Sequence, residues 1–483
     1  MPMNKREFFL LVLILIGAFV VRLYGFQNPI ADWHAWRQAD TSAVSRNFAQ
    51  QGFDLLHPRF DDLSNVPSGK DNPNGYRFVE FPIYNTLQAG FFLLFGYFTL
   101  EEWGRLVTIF SSLLTIVFIY GIVFRRAGKK AALLGALFFS FLPYNIYYGR
   151  TILPDTSMAM AITGAIYFFD LFLNDKNRGI YFLLTVLFAS AAFLLKPFSL
   201  FFTLPMIYLA YEKYGAGFVV KWQLWILLIA SVIPLVWWRW WIGHFPEGIP
   251  VSDWLFNEGN IRFKGAFFYW LFADRVGRLI LGYWGLAIFV LGIIAKSKEI
   301  SHRSYIFFLS FGASSLLYLA VIARGNVQHD YYQIVIMPSI AIFLALGGDF
   351  LLSVSKEYFH KKVSICMLFV CIIAMIGFSW YSVRDFFNIN NGSIVTAGKA
   401  VDALTPKDAK VIAIYDGDTS FLYQTNRKGW ASFEKPLPDM IKMGAHYLIL
   451  VNPTENDHKG FGKTYKVVAV TPQYMILDLT HTL

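Results

Sequence analysis

ADWHAWRQADTSAVSRNF, residues 31–48, is the segment on which our interpretation of this sequence depends. It directly follows the first long apolar segment. Arg37 and Asp40 are three residues apart, so on a helix they share one face. The aromatic residues predict a helix lying flat at a membrane surface, with its charged side facing a cavity. An interfacial anchor that closes the first apolar helix is the alternative. The ionisable residues of the segment are Asp32, His34, Arg37, Asp40 and Arg46.

The composition predicts a membrane protein. The chain is 56% hydrophobic and only 15% charged, its mean hydropathy is +0.46, and apolar runs long enough to span a bilayer recur as far as residue 381. A soluble core does not need so many such runs, so we expect a polytopic α-helical membrane protein. The net charge of +10 lies largely in short loops, as the positive-inside rule and contact with membrane lipids require. No nucleic-acid partner is expected.

The charges flanking the apolar runs predict the topology. Lys5 and Arg6 hold the N-terminus inside, the first span is retained rather than cleaved, and the chain has about eleven spans in all, with an outer C-terminus. Two long outer loops are expected at 27–104 and 242–275. The apolar segment after Pro82 is left open between a span and a re-entrant or interfacial helix pair. The predicted cytoplasmic loops are Arg125–Lys130, Lys176–Arg178, Lys296–Arg303 and Lys356–Lys362.

The composition changes after residue 382. Strand-like runs alternate with helix-like ones in residues 383–483, which predicts a small soluble α/β domain after a membrane domain at 1–382. Asp416-Gly417-Asp418 follows the first strand, where open sheets tend to place ligand loops. We interpret it as a plain turn, with a ligand loop as the alternative. The strand-like runs are VIAIYDG (411–417), HYLILV (446–451), YKVVAV (465–470) and YMILDL (474–479).

The predicted topology gathers most polar outliers of the membrane part on the outer side. Such groups are candidates for function because desolvating a charge without a partner costs several kcal/mol. The carboxylates could accept a proton, and the arginine and lysine side chains could hold a phosphate. His329-Asp330 favours hydrogen bonding over metal ligation, so no metal site or cofactor is predicted, and a divalent metal has no support in the sequence. The set is Asp32, His34, Arg37, Asp40, Glu80, Arg150, Asp155, Lys196, His329 and Asp330.

The order of the motifs resembles the GT-C membrane glycosyltransferases, in the branch of bacterial protein O-mannosyltransferases and the lipid A aminoarabinose transferase. Residues 8–350 carry the resemblance. The family usually has Asp-Glu near the first span, where this chain has Arg37-Gln38 with its acids displaced to Asp32 and Asp40. The other matching elements are VEFPIYN with Glu80, RTILPDTSM with Asp155, LLKPFSLFFTLP with Lys196, and HDYYQIVIMP with His329, Tyr331 and Tyr332.

The resemblance implies a GT-C-type fold and transfer of one sugar from a polyprenyl-phosphate donor. The acceptor would be a protein, lipid or cell-envelope glycan on the outer face of the cytoplasmic membrane. Inverting displacement needs a carboxylate base, worth typically ~10²–10⁴-fold in rate. Asp40 is our first choice and Asp32 the second, while Asp155 could orient the acceptor or share the role. The expected phosphate ligands are Arg37, Arg150 and Lys196, and the other expected substrate-binding residues are His34, Glu80, His329, Tyr331 and Tyr332.

Other classes of protein remain open at this point. A lipid or sugar transporter or flippase would also place charges at helix ends, but it predicts charges within the spans and broken helices in paired halves. A non-catalytic membrane scaffold is disfavoured by the concentration of carboxylates. Within the enzymes, an oligosaccharide transferase or a phosphotransferase is also possible.

The topology can be tested with reporter fusions. Alkaline phosphatase fused after residue 483 is expected to be active, and the same reporter in the loop Arg125–Lys130 inactive, because only an outer location allows its disulfides to form. A fluorescent cytoplasmic reporter at the C-terminus would instead mean that the span count is off by one.

Overall fold

The computed structural model describes residues 5–297, 300–353 and 360–482. Contacts divide the chain into two compact units, each built from three separate stretches. The predicted boundary at residue 382 follows the change in composition. Packing also groups the whole first predicted outer loop and the beginning of the second with the C-terminal segment. The first unit comprises residues 1–26, 106–238 and 252–385, and the second comprises 27–105, 239–251 and 386–483.

The first unit is helical. The long helix α4 breaks at Gly128, whose φ of 81° and ψ of −179° interrupt the helix inside the basic run 125–130. The helices whose residues lie mainly in this unit are α1 (Lys5–Arg22), α4 (Leu100–Phe141), α5 (Pro143–Tyr148), α6 (Pro154–Asn174), α7 (Arg178–Leu195), α8 (Leu204–Tyr214), α9 (Trp222–Ile242), α10 (Trp254–Asn257), α11 (Gly265–Phe268), α12 (Gly285–Ile294), α13 (His302–Val321), α14 (Ala323–Gln328), α15 (Met337–Ser353) and α16 (Lys361–Val383).

The predicted fold class, a polytopic helical membrane protein with a small C-terminal sheet, is confirmed. Among the described residues, seven helical segments are long and apolar enough to cross a membrane, or eight if one bent pair counts as a span. The count of eleven stays a prediction. The predicted loop Lys356–Lys362 lies mostly outside the described residues, as do Lys298 and Glu299.

The predicted count of eleven spans includes one at residues 276–295, and this segment is not a continuous helix. Residues 269–280 form a π-helix, α12 begins only at Gly285, and the two segments are bent by 116°. The turn between them needs positive φ at Gly282 (48°) and Tyr283 (59°). The apolar composition of this stretch does not reveal such a break, because one glycine in a helical pattern is usually tolerated.

The second unit contains a five-stranded sheet in the order β2-β1-β3-β5-β4. β1 is parallel to both β2 and β3, whereas β5 is antiparallel to β3 and β4. All four strand-like runs form strands, and the two-residue β2 is too short for its pattern to be recognised. The elements after residue 390 are α17 (Gly392–Leu404), β1 (Val411–Ala413), α18 (Thr419–Gln424), β2 (Gly429–Trp430), α19 (Leu437–Lys442), β3 (Tyr447–Val451), α20 (Glu455–Thr464), β4 (Tyr465–Val470) and β5 (Tyr474–Thr482).

The first predicted loop belongs to the same core as this sheet. The backbone N–H of Gly429 donates to Asp61 O (3.0 Å), and the N–H of Leu63 donates to Gly429 O (2.7 Å). The loop therefore extends the sheet beyond β2. Arg46 adds a side-chain connection, because it pairs with Asp61 and donates to Tyr423 O (3.0 Å).

The loop also contains helices α2 (Ala35–Gln51) and α3 (Ile83–Phe95). Twelve of the 17 residues of α2 are buried, and they include charged and apolar side chains alike. The prediction of a flat helix with one apolar face is therefore wrong, because α3 and α18 cover α2 on several sides. α3 faces α2 with polar groups: Gln88 accepts from Ser45 (2.8 Å) and Asn85 donates to Thr41 O (2.6 Å).

Within the first unit, α12 and α15 approach each other backbone to backbone. A Cβ atom on Gly292 would lie 1.8 Å from Phe343 O, and one on Gly347 would lie 1.9 Å from Ile288 O. No real carbon atom fits at such distances. Small residues at a contact allow two helices to pack tightly in lipid. Such close packing matters there because the hydrophobic effect does not drive helices together in lipid.

We predict that Gly347→Ala destabilises the protein by on the order of 1–3 kcal/mol, because the added methyl group forces the two backbones apart. Gly377→Ala is the matched control: Gly377 also lies in a helix, and a Cβ atom there would meet nothing within 4 Å. Thermal unfolding in detergent should show a lower melting temperature for the first variant only. Equal melting temperatures would show that the two helices separate easily.

Candidate functional site

Two buried ion pairs connect α2 with residues 77–80 of the first loop. Arg37 and Asp40 do not pair with each other. Arg37 Nη2 donates to both carboxylate oxygens of Glu80 (2.7 and 2.8 Å), and Arg77 donates to Asp40 Oδ2 (2.6 Å). All four side chains are at most 9% exposed. Residues 37 and 40 have the same spacing as residues 77 and 80. Each arginine pairs with the acidic residue of the other segment, so two ion pairs join the two segments.

Asp40 also contacts the C-terminal segment. Its Oδ1 accepts a hydrogen bond from the Thr419 hydroxyl (2.7 Å), so both carboxylate oxygens are engaged. Burial raises the pKa of Asp62 to about 6, and the negative charge of Asp40 adds to the rise. Two hydrogen bonds from Ser64 act in the opposite direction. Burial likewise raises the pKa of Asp418, again with a contribution from Asp40. Two further carboxylates, Asp62 and Asp418, therefore lie near enough to the predicted base to be affected by its charge.

Asp32 and His34 lie at the start of α2. Asp32 is fully buried, and its Oδ1 accepts from Gln38 (2.7 Å). His34 precedes the helix with a left-handed φ of 55°, a conformation that is costly for a residue other than glycine. Its ring packs edge-on against Trp33 (centroids 5.2 Å apart), and Trp33 stacks on Phe386 (5.0 Å).

In the first unit, Asp155 and Lys196 form a buried pair. Asp155 lies in the first turn of α6 behind Pro154, and Lys196 directly follows α7. Lys196 Nζ donates to Asp155 Oδ1 at 2.6 Å, and both side chains are at most 7% exposed. Asp155 Oδ2 has no hydrogen-bond partner within the described residues. A buried carboxylate oxygen in this state is costly unless something else binds it.

Aromatic rings surround the lysine. The Lys196 ammonium lies 5.5 Å from the ring centroids of both Tyr331 and Tyr332. The His329 ring stacks on both tyrosines, at 5.5 and 6.0 Å. The predicted residues Asp155, Lys196, Tyr331 and Tyr332 are therefore brought together, with His329 beside them. The rings attract a cation electrostatically and keep the environment of Lys196 low in dielectric constant.

Arg150 lies elsewhere in this unit. It is fully buried, donates to Gly25 O (3.1 Å) and stands over the Tyr147 ring at 5.2 Å. These contacts hold the chain just after α1 against the segment between α5 and α6.

No group of three or more histidine, cysteine or carboxylate side chains is placed to hold a metal ion in the part of the chain that the structure describes.

Known proteins share both sequence and fold with this chain. Residues 79–241 match the sequence family of the dolichyl-phosphate-mannose-protein mannosyltransferases. ArnT from Cupriavidus metallidurans bound to undecaprenyl phosphate has the same fold, with a TM-score of 0.65 and 12% identity over 96% of this chain and 97% of ArnT. No curated protein was found to match by sequence.

An archaeal oligosaccharyltransferase has the fold as well. The Archaeoglobus fulgidus enzyme in complex with zinc and sulfate gives a TM-score of 0.60 and 12% identity over 91% of this chain and 67% of its own. AglB from the same organism, with an inhibitory peptide and a dolichol-phosphate, gives 0.58 and 10% over 92% and 69%. The chain therefore has the fold of these membrane glycosyltransferases.

Sequence reasoning missed several residues around the predicted ones. Arg77 lies three residues before Glu80, the same spacing as between Arg37 and Asp40, and this repeated spacing could have identified it. Thr419 gave none, because its contact depends on tertiary packing. Asp330 was among the outer-side candidates but was given no role, and it accepts from the Tyr148 hydroxyl (2.5 Å).

The raised pKa of Asp62 predicts a pH-dependent stability. The ordinary pKa is 3.8, so between pH 4 and 6 the folded chain binds more protons than the unfolded one, and the free energy of unfolding falls as the pH rises. Asp62→Asn removes the titrating group and with it this loss of stability at higher pH. The stability of the variant relative to wild type should rise over that window, by at most about 3 kcal/mol.

Chemical unfolding followed by tryptophan fluorescence at several pH values measures this difference. Asp478→Asn is the control of opposite sign: burial tends to raise the pKa of Asp478, but hydrogen bonds from Thr480 outweigh it and lower the pKa. The stability of that variant relative to wild type should fall with pH. A difference for Asp62→Asn that does not change with pH would contradict the prediction.

Proposed function

We propose that this chain is a glycosyltransferase that moves one sugar from a polyprenyl-phosphate donor to an acceptor hydroxyl on the outer face of the cytoplasmic membrane, with inversion at the anomeric carbon. Two proteins with this fold are bound to lipid phosphates, ArnT to undecaprenyl phosphate and AglB to a dolichol-phosphate, which supports a donor of this chemical class. The match to mannosyltransferases that use dolichyl-phosphate-mannose supports it independently.

The observation that carries the proposal is the Asp155–Lys196 pair. A lysine ammonium has three donors, and Asp155 takes one of them. The remaining donors suit the oxygens of a lipid-linked phosphate, whose negative charge grows as it leaves the sugar. In surroundings lined by tyrosine rings that attraction is stronger than in water. Lys196 is therefore the proposed phosphate ligand, and Tyr331, Tyr332 and His329 are proposed to line the same position.

The acceptor proton needs a carboxylate base. As the acceptor oxygen bonds to the anomeric carbon, its proton passes to the base, and the bond from that carbon to the phosphate oxygen breaks to release polyprenyl phosphate. Asp40 remains a candidate, since a carboxylate accepts about four hydrogen bonds and its two observed ones leave capacity. Asp155 is the second candidate, because its Oδ2 has no partner among the described residues. The full burial of Asp32 favours a structural role.

The other predicted residues are proposed as positioning residues. Arg37 is already neutralised by Glu80, and the two residues hold α2 against the segment before α3. Arg150 holds the chain after α1. His34 sets the conformation in which α2 begins.

We expect Asp155→Asn and Lys196→Met each to lower transfer at least a hundredfold, because the phosphate charge loses a cation or the acceptor loses its base or its orientation. Transfer would be measured with the protein in proteoliposomes supplied with radiolabelled polyprenyl-phosphate sugars. Asp40→Asn should lower transfer to a similar extent.

The matched control is Asp170→Asn. Asp170 is another buried carboxylate of α6, held by Arg125 and Arg126, so its loss tests stability without touching the proposed chemistry. The control should have a lower melting temperature, but the protein that remains folded should transfer the sugar at the normal rate. Near-normal turnover in both Asp155→Asn and Asp40→Asn would refute both proposed bases.

A further inference from the structure

The second unit contains a small pocket whose lining residues take no part in the ion pairs described above. Its volume is about 140 Å³, and it is bordered by three segments that are separate in sequence. The start of α2 lines one side, and the segments before α17 and around the start of α18 line the other. Its main lining residues are Trp33, Trp36, Asn390, Asn391, Tyr415 and Ser420.

The lining combines flat aromatic rings with short polar side chains. Rings such as Trp36 and Tyr415 offer an apolar face together with a polar edge. The amides of Asn390 and Asn391 offer both donors and acceptors. A ligand that suits this lining has apolar C–H faces and hydroxyl groups around its edge, which describes a sugar ring. A lipid chain would leave the polar groups unsatisfied, and an inorganic anion would leave the rings unused.

One buried hydroxyl group of the pocket belongs to Ser420. The Ser420 side chain is 1% exposed and lies beside the carboxylate of Asp418, which also accepts from the Ser420 backbone N–H (2.7 Å). A hydroxyl group donates one hydrogen bond and accepts two, so beside Asp418 this one still suits a ligand that donates to it.

The backbone on both sides of the pocket adopts costly conformations. His34 lines the pocket with φ 55°, and the turn that leads to Asp418 has φ 51° at Asp416 and 78° at Gly417. Residues other than glycine in this region cost of order 1–3 kcal/mol and cluster at ligand sites. In the Asp416-Gly417-Asp418 segment, Asp418 lines the pocket and caps α18.

We propose that this pocket binds a single sugar ring. Its volume is well below the roughly 300–1,000 Å³ of pockets that hold drug-sized ligands, so it fits one ring rather than an oligosaccharide. The ring can belong to a glycan acceptor or to the donor. Thr419 favours the acceptor: it lies between Asp418 and Ser420 and donates to Asp40, the candidate base. Only this assignment to a substrate rests on the proposed function.

The first experiment measures binding without requiring transfer. Methyl α-D-mannoside, methyl β-D-glucoside and methyl β-D-galactoside are titrated against the full chain in lipid nanodiscs by saturation-transfer NMR. At least one glycoside should bind to the wild type. Ser420→Ala, Tyr415→Phe and Asn391→Asp should each weaken it roughly two- to tenfold, as expected for one lost hydrogen bond. Asn391→Asp keeps the oxygen that caps α17.

Tyr447→Phe is the matched control, because Tyr447 lies on β3 and does not line the pocket. It should bind glycosides like the wild type. Binding of none of the glycosides, or equal binding by all variants, overturns the proposal. Binding of an acetylated serine peptide in their place, weakened by the same substitutions, overturns it too and assigns the pocket to a protein acceptor.

Kinetics then assign the ring to a substrate. A higher KM for a glycan acceptor in Ser420→Ala, with an unchanged KM for the donor, assigns the pocket to the acceptor, and the reverse result assigns it to the donor. Glycoside binding without transfer from any polyprenyl-phosphate sugar would refute the proposed function and leave the sugar pocket standing.

Discussion

The exchange of partners between Arg37–Glu80 and Arg77–Asp40 is the constraint on which the second unit depends. Each charge is almost completely removed from water, so each needs its partner within hydrogen-bond distance. Removing one partner from a buried pair typically costs about 3–5 kcal/mol, because the other charge is left uncompensated. The two pairs therefore fix α2 against the segment before α3 in one register.

The coarse features of the fold could be predicted from sequence because they depend on local composition. Apolar runs identify membrane helices, and alternating runs identified four of the five strands. The break between residues 280 and 285 could not be predicted, since it depends on packing around Gly282 rather than on hydropathy. The core that residues 27–105 share with the C-terminal segment was missed for a similar reason: hydrogen bonds between Asp61, Leu63 and Gly429 leave no local pattern.

The candidate site was predictable as a set of residues but not as a set of contacts. Asp155, Lys196, Tyr331 and Tyr332 were each identified from separate motifs, and the structure brings them within contact distance. Arg37 shows the limit of such reasoning. Its spacing from Asp40 suggested a shared face, whereas its charge is neutralised by Glu80 from another segment. Helical spacing states which side chains are neighbours on one helix, and it says nothing of what a second segment adds.

The discontinuous composition of the second unit determines the order in which it can be completed during synthesis. Residues 27–105 leave the ribosome early, but α18 and the strands that cover them are made last, after most of the apolar helices. Until then the polar and charged side chains of α2 lack part of their cover and have to remain hydrated. Contacts between such distant segments form slowly, since a long chain must first be closed into a loop. Folding of the second unit therefore depends on synthesis of the last hundred or so residues. A prematurely terminated chain would retain its membrane helices but never complete the core around α2.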